Sequence, residues 1–391
     1  MLGSTKPLLA ILIIIFIFPF AAVPAAAGAQ EPAGYEYNKR GMDLFGERKF
    51  DEAIAELTKA IAVNPQYAYA YNNRGIVHQA MKKFDLAFAD FGKAIEINPN
   101  FGFAYYCRSR AYFRQGHYQQ AVDDIDKAIT NGYELIEVYR LRAIAYTNLK
   151  QYPEAITDFD RVLAVNPRDG NAHVRRGLAH AELEQFGQAI DDLTMAIAID
   201  PRDVVAYSNR GIIYQQLKRY GEAIADYDTV VKFIPDFPDT YAYRGLAYYN
   251  SGRYEQALAD FDKAATASPP LPDTYLFRGH TYLALKQYDK AVADYNRALA
   301  LDRQHAALYL SCRGIAYLRA GKLKQAVAEF ESAIAADPQF AAAYYSQGLA
   351  FKELDLKEDA VAAFRHYVKL GTDEVLIDRA KNYISQLGGK P

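Results

Sequence analysis

The side chains that could carry out chemistry in this 391-residue chain are scattered and form no familiar catalytic group. There is no H-E-x-x-H sequence and no Ser-centred elbow, and the glycines are not clustered into a phosphate-binding loop. Serines are sparse, and none recurs beside a histidine and an acid. The sequence therefore predicts a protein that is not an enzyme and that uses no cofactor.

Two histidines have a spacing that could suit a metal ion. His173 and His180 are seven residues apart, so on a helix they would lie on one face. Both occupy positions at which other parts of the chain have tyrosine, such as Tyr139 and Tyr146, and a zinc site needs further ligands. We expect both histidines to be packing residues and not metal ligands.

The two cysteines, Cys107 and Cys312, are too few for a disulfide framework. They stand at equivalent places in distant copies of an internal repeat. We expect small, apolar, free thiols, with pairing between molecules as the alternative.

The most regular charged pattern is a series of arginines, each followed by a carboxylate sixteen residues later. Its members are Arg40/Glu56, Arg74/Asp90, Arg108/Asp124, Arg142/Asp158, Arg176/Asp192, Arg210/Asp226, Arg244/Asp260, Arg278/Asp294 and Arg313/Glu329. In the next copy both members are lost together, leaving Gln347 and Ala363. In an antiparallel helical hairpin, residues this far apart would face each other, and a guanidinium can meet a carboxylate with two bonds. We predict nine structural ion pairs, the alternative being two independent surface preferences.

These pairs belong to a 34-residue repeat. The segment "YNNRGIVHQAMKKFDLAFADFGKAIEINPN" has counterparts that start at Tyr207 and Tyr275, at separations that are multiples of 34. Tyr71 and Gly75 share one face of a first helix, and Ala87 and Phe91 share one face of a second. A proline ends most copies, because it cannot continue a helix. Each copy is predicted to be a helical hairpin that must stack on its neighbours to bury its faces.

A 34-residue helical hairpin with an aromatic residue, a Gly or Ala, a Tyr, an Ala, a Phe and a terminal Pro resembles the tetratricopeptide repeat. The early Trp of that family is Tyr here, and the chain contains no Trp. The resemblance implies an all-α, right-handed superhelical solenoid over residues 30–371 and a capping helix with a tail over 372–391. We expect about ten units, which start near Gly34, Ala68, Gly102, Ile136, Gly170, Val204, Pro238, Pro272, Ala307 and Ala341.

The resemblance also implies that the first helix of each hairpin lines a concave binding groove. In units three to five, this face would carry four arginines outside the Arg–acid series, with Glu137 and Glu182 as the nearby acids. Aromatic rings beside guanidinium groups suit a ligand that carries carboxylates or other anions. The candidate ligand-binding residues are Phe103, Tyr106, Arg110, Phe113, Arg114, Arg140 and Arg175. The alternative is that these four arginines are ordinary solvated surface residues.

The overall charge argues against some partners. With 45 basic and 47 acidic residues, the chain is not a typical nucleic-acid binder or polybasic membrane-surface protein. We expect a scaffold that binds a protein or peptide segment in the groove. The alternative is a factor that binds an anionic glycan or polymer through the basic and aromatic face of units three to five. The oligomeric state and the identity of the partner stay open.

Residues 1–29 have the order of a secretory signal peptide: Lys6, an apolar run from Leu8 to Phe20, and small residues before Gln30. This predicts export to the periplasm or cell envelope and, after cleavage, no stable membrane span. The alternative is an uncleaved anchor, although the apolar run is shorter than the roughly 20 residues of a spanning helix.

Cleavage of the leader can be tested directly. We expect intact-mass measurement of the exported protein to give a chain that starts near Gly28 or Gln30, since cleavage after Ala27 or Ala29 fits the small-residue segment. An intact N-terminus in a membrane fraction would contradict this prediction.

Overall fold

The computed structural model describes residues 31–390, so the predicted signal peptide lies outside the described residues. Within that range the chain forms 21 α-helices and no strand, which confirms the all-α fold class. The helices are α1 Tyr35–Gly46, α2 Phe50–Val63, α3 Ala68–Ala80, α4 Phe84–Ile97, α5 Gly102–Arg114, α6 Tyr118–Thr130, α7 Ile136–Asn148, α8 Tyr152–Val165, α9 Gly170–Glu182, α10 Phe186–Ile199, α11 Val204–Gln216, α12 Tyr220–Phe233, α13 Pro238–Asn250, α14 Tyr254–Ala264, α15 Pro272–Ala284, α16 Tyr288–Leu301, α17 Ala306–Arg319, α18 Leu323–Ala336, α19 Ala341–Glu353, α20 Lys357–Leu370 and α21 Glu374–Gln386.

The first twenty helices form ten consecutive pairs, and each first helix begins at, or within one residue of, a predicted unit start. A short turn joins the two helices of a pair and contains one residue in the left-handed region. This residue is Lys82 (φ 59°) in the second hairpin and Gly116 (φ 77°) in the third. No helix among residues 31–390 is long and apolar enough to cross a membrane.

The two helices of a hairpin approach closely because a small residue on the first meets an aromatic ring on the second. A Cβ atom at Gly75 would lie 2.7 Å from Cε1 of Phe91, and one at Gly279 would lie 2.6 Å from Cε1 of Tyr295. Both rings are fully buried. The small residues of the repeat therefore act at the contact between the helices, as the sequence predicts.

Stacking of hairpins buries their remaining faces. The contacts divide the chain into two units, one up to Asn209 and one from Arg210. In the first unit, α1, α3, α5, α7 and α9 contact one another in succession; in the second, α13 contacts α15 and α17 contacts α19. The predicted capping helix is α21, which packs on α20 and buries Ala380 and Ile384 completely.

All nine predicted Arg–acid pairs are present, so the pairing hypothesis is confirmed. Seven of them are bidentate, with Nε and Nη2 donating to the two carboxylate oxygens at 2.6–3.0 Å. The pairs at the two ends of the series are weaker. Arg313 reaches Glu329 only through Nη2, at 2.5 Å, and Arg40 lies 3.9 Å from Glu56 with 73 % of its side chain exposed.

The third guanidinium nitrogen reaches back to the preceding hairpin, a contact that the repeat pattern did not lead us to expect. Nη1 of Arg142 donates to Asp126 at 2.5 Å, and Nη1 of Arg176 donates to Asp160 at 2.6 Å. Arg244 and Arg278 contact the acid sixteen residues before them in the same way. One guanidinium therefore binds both to its own hairpin and to the previous one.

The two carboxylates that share Arg142 should differ strongly in their effect on stability. The side chain of Asp158 is 2 % exposed and that of Asp126 is 51 % exposed. We expect Asp158→Asn to cost about 3–5 kcal/mol, because it breaks the buried, bidentate half of this arrangement. Asp126→Asn should cost about 0–1 kcal/mol, as for an exposed pair. Urea unfolding of both variants measures this, and equal losses would show that burial does not govern the pair.

Candidate functional site

The predicted ligand-binding residues lie on three consecutive first helices, α5, α7 and α9, of which α7 contacts both of the others. Four arginines on these helices, Arg110, Arg114, Arg140 and Arg175, are called the basic surface below. Arg114 is exposed and the other three are half-buried. The helices place these residues in two groups, one on α5 and one that joins α7 to α9.

The aromatic candidates are more involved in packing than the sequence suggests. Tyr106 is only 5 % exposed, and its ring lies 5.2 Å from that of Tyr133. The half-buried ring of Phe103 lies 5.3 Å from the same tyrosine. Phe113 meets Tyr118 edge-on at 5.3 Å. Of the three, Phe103 and Phe113 keep part of their surface accessible, whereas Tyr106 serves mainly to support its neighbours.

The first arginine group is on α5. The guanidinium of Arg110 lies 5.7 Å from the ring centroid of Tyr106, a cation–π arrangement. Arg114, one turn later, makes no hydrogen bond or ion pair with another residue of the described range. Partial burial of its guanidinium, and then the charge of Arg110, lower the pKa of Arg114. Both causes disfavour the charged form of Arg114.

The second group joins α7 to α9 and contains an acid that was not among the predicted site residues. Nη1 of Arg140 donates a hydrogen bond to Asp169, which also caps α9 by accepting from the backbone N–H of Ala172 at 3.0 Å. Nε of Arg175 donates to Asn171 at 2.8 Å. Burial, followed by the charge of Arg140, lowers the pKa of Arg175. An Asp just before a predicted helix start is a capping signal that could have revealed Asp169.

The basic surface and the Arg–acid series thus contain arginines in opposite electrostatic conditions. Hydrogen bonds to carboxylates raise the pKa of Arg108 and Arg176 in the series. The pKa values of Arg114 and Arg175 are lowered instead, because burial and a like charge act on them. Arg114 and Arg175, which have no carboxylate partner within residues 31–390, can therefore accept an anion that the hairpin fold does not provide.

The histidines considered as metal ligands have other partners. Nδ1 of His173 lies 2.9 Å from Asp192 and its Nε2 lies 3.1 Å from the carbonyl oxygen of Pro167. Nδ1 of His180 lies 2.6 Å from Gln185. Among residues 31–390, no group of three or more His, Cys, Asp or Glu side chains is arranged to hold a metal ion.

The two cysteines are buried free thiols in the structure. Burial raises the pKa of each thiol to about 12. Since the thiolate is the reactive form, neither side chain is suited to redox chemistry in the folded protein.

Family models identify the repeat. Models described as "Tetratricopeptide repeat" match residues 68–101, 91–123, 140–204, 238–271, 272–305 and 313–374, and one described as "TPR repeat" matches 44–82 and 213–252. Together these ranges cover more than half of the chain, which therefore belongs to the tetratricopeptide repeat family. Proteins of this family are typically non-enzymatic scaffolds for protein–protein interaction. A sequence comparison with curated proteins found no match.

Several solved structures resemble the chain. YrrB, described as a TPR protein with an unusual peptide-binding site, is 24 % identical over 46 % of this chain and 93 % of its own, with a TM-score of 0.44. Yeast Tom70 is 15 % identical over 91 % of this chain and 95 % of its own, with a TM-score of 0.41. The APC/C hetero-tetramer Cut9-Hcn1 is 9 % identical over 91 % and 96 %, with a TM-score of 0.46. The family assignment rests on the sequence models, and these likenesses add no functional argument.

The double role of Asp169 gives a matched pair of variants. Asp169→Asn should keep the cap of α9 and lose only the charge opposite Arg140, because Asn caps helices about as well as Asp. Asp169→Ala should lose both, and we expect it to be less stable than the Asn variant by about 1 kcal/mol. Urea unfolding compares them, and identical midpoints would exclude a capping role.

Proposed function

We propose that this protein is a non-enzymatic scaffold in the cell envelope that binds an acidic segment of a partner protein at the basic surface of α5, α7 and α9. The fold supports the scaffold role, since stacked hairpins offer an extended surface for peptides. The signal-peptide pattern of residues 1–29 supports the envelope location.

The observation that carries the proposal is the electrostatic condition of Arg114 and Arg175. Burial and neighbouring arginines disfavour the charged form of both guanidinium groups. A carboxylate of a bound peptide would supply charge-assisted hydrogen bonds to each, and such bonds are about twice as strong as neutral ones. Arg140 is partly neutralised by Asp169, so we expect it to contribute less than Arg114 and Arg175.

Crosslinking in cells, followed by mass spectrometry of the captured partner, tests this site. We expect the double variant Arg114→Gln with Arg175→Gln to lower the yield of that partner at least about tenfold, since charge-assisted hydrogen bonds contribute about 1.5–3 kcal/mol each. Helical content and melting temperature should stay near those of the wild type, because neither arginine belongs to the Arg–acid series.

The matched control is Arg202→Gln, which removes an exposed arginine from the turn before α11. It should capture the partner as well as the wild type does. If the double variant captures the partner as efficiently as this control, the basic surface is not the binding site.

An anionic glycan or polymer is the second candidate, favoured by the same two arginines, Arg114 and Arg175, which have no carboxylate partner within the described residues. Salt distinguishes the two ligands. A complex held mainly by exposed charges should weaken steeply as salt rises, because the Debye length falls from about 10 Å at 0.1 M to 3 Å at 1 M. A peptide complex that also buries apolar surface should persist, and its loss at moderate salt would favour the polymer.

A further inference from the structure

An open pocket of about 380 Å³ lies among α18, α19 and α20, at the tenth hairpin in the second unit. Its volume is within the range of about 300–1,000 Å³ that is usual for ligand pockets. The polar side chains of its lining are Glu331, Gln347, Asp359 and His366, and the rings of Tyr344 and Phe351 are among the apolar contributors. None of the residues of the basic surface takes part.

The pocket coincides with the place where the Arg–acid series stops. Gln347 stands at the position of the repeated arginine and Ala363 at that of its acid, and both line the pocket. Glu331 precedes Gln347 by sixteen residues, the same spacing by which Asp126 precedes Arg142. It therefore holds the position that accepts a guanidinium hydrogen bond in other hairpins. Within the described residues, Glu331 forms no hydrogen bond or ion pair.

The aromatic surroundings of the repeated guanidinium are also present. In the fourth hairpin, the Arg142 guanidinium lies 5.5 Å from the ring centroid of Tyr139 and 5.8 Å from that of Tyr146. These rings come three residues before and four residues after the arginine. Tyr344 and Phe351 have the same spacing around the equivalent position of the tenth hairpin. His366 stacks on one face of Tyr344 at 5.1 Å. The opposite face of Tyr344 and the ring of Phe351 are the two aromatic walls suited to a cation.

Gln347 presents an amide with no protein partner to the pocket. The residue is only 8 % exposed, lines the pocket, and makes no side-chain hydrogen bond to another residue of the described range. Its amide nitrogen and oxygen are not among the fully buried, unpartnered polar atoms of the described residues, so both stay accessible from the pocket. Its amide oxygen can accept a hydrogen bond from a guanidinium, as the carboxylate of Glu331 can.

We propose that this pocket binds the guanidinium group of an arginine side chain that a partner polypeptide presents. A guanidinium combines the planar fork of donors and the aromatic stacking that the lining favours, whereas an ammonium offers neither. Free arginine fits less well, because Glu331 and Asp359 would repel its carboxylate, and the basic side chain of the lining, His366, is stacked on Tyr344. The site lies in the second unit and is independent of the basic surface.

Titration of the full chain with N-acetyl-arginine amide, followed by saturation-transfer NMR, measures this binding. N-acetyl-lysine amide and free arginine are the comparison probes. We expect both to bind at least about fivefold more weakly than the blocked arginine, which corresponds to about 1 kcal/mol. Equal binding of the lysine probe would overturn the guanidinium assignment. Equal binding of free arginine would overturn the assignment to a polypeptide.

Variants locate the binding. Gln347→Arg with Ala363→Asp restores the internal ion pair, so this double variant should lose the probe without a drop in melting temperature. Glu331→Gln should weaken binding about tenfold. The control Glu255→Gln removes an exposed carboxylate of α14 and should leave binding unchanged.

Either of two results would refute the proposal: no binding of N-acetyl-arginine amide to the wild type, or undiminished binding to the double variant. If the double variant does not fold, the comparison of Glu331→Gln with Glu255→Gln decides, and equal affinities of those two variants refute the site.

Discussion

The ion pair between the repeated arginine and its buried carboxylate, present in nine of the ten described hairpins and bidentate in seven, is the interaction on which the rest of the structure depends. The guanidinium fork neutralises an aspartate that is almost completely buried, such as Asp158 with 2 % of its side chain exposed. Such a carboxylate would be strongly destabilising if it were alone, because removal of one partner of a buried pair leaves an uncompensated charge. The remaining guanidinium nitrogen, Nη1, bonds to the preceding hairpin, as Arg142 does to Asp126. The same side chain therefore fixes the two helices of a hairpin and the step to the hairpin before it.

This arrangement makes the role of an arginine depend on its position in the repeat. Arg142, flanked by two tyrosines and bonded to two aspartates, is saturated and can offer little to a ligand. Arg114 and Arg175, on the ligand-facing side predicted for their helices, have lowered pKa values because burial and like charges act on them. The same chemical group thus supports the fold at one register position and becomes a candidate recognition element at others.

The fold could be predicted almost completely because the sequence pattern of the helical hairpin is repeated ten times. Every copy that repeats the Arg74/Asp90 spacing or the Gly75/Phe91 spacing supports the same helical register. The predicted register therefore does not depend on any single residue. The candidate site had no such support. Nothing in the spacing indicated that Tyr106 would be 5 % exposed. The pairing of Arg140 with Asp169 joins α7 to the start of α9, and the repeat pattern does not encode such a contact.

The tenth hairpin differs from the others because it lacks the central arginine. An aspartate kept at position 363 would be buried without its partner, so the loss of the acid accompanies the loss of the base. Glu331 can remain because it is exposed and solvated, as Asp126 is in its pair. Terminal members of a repeat array are commonly atypical, since they adapt to a cap. The tenth hairpin lacks the internal guanidinium but keeps Glu331 as an acceptor and the rings of Tyr344 and Phe351. Groups of this kind bind a guanidinium in other hairpins, and in the proposal above they bind one from another chain.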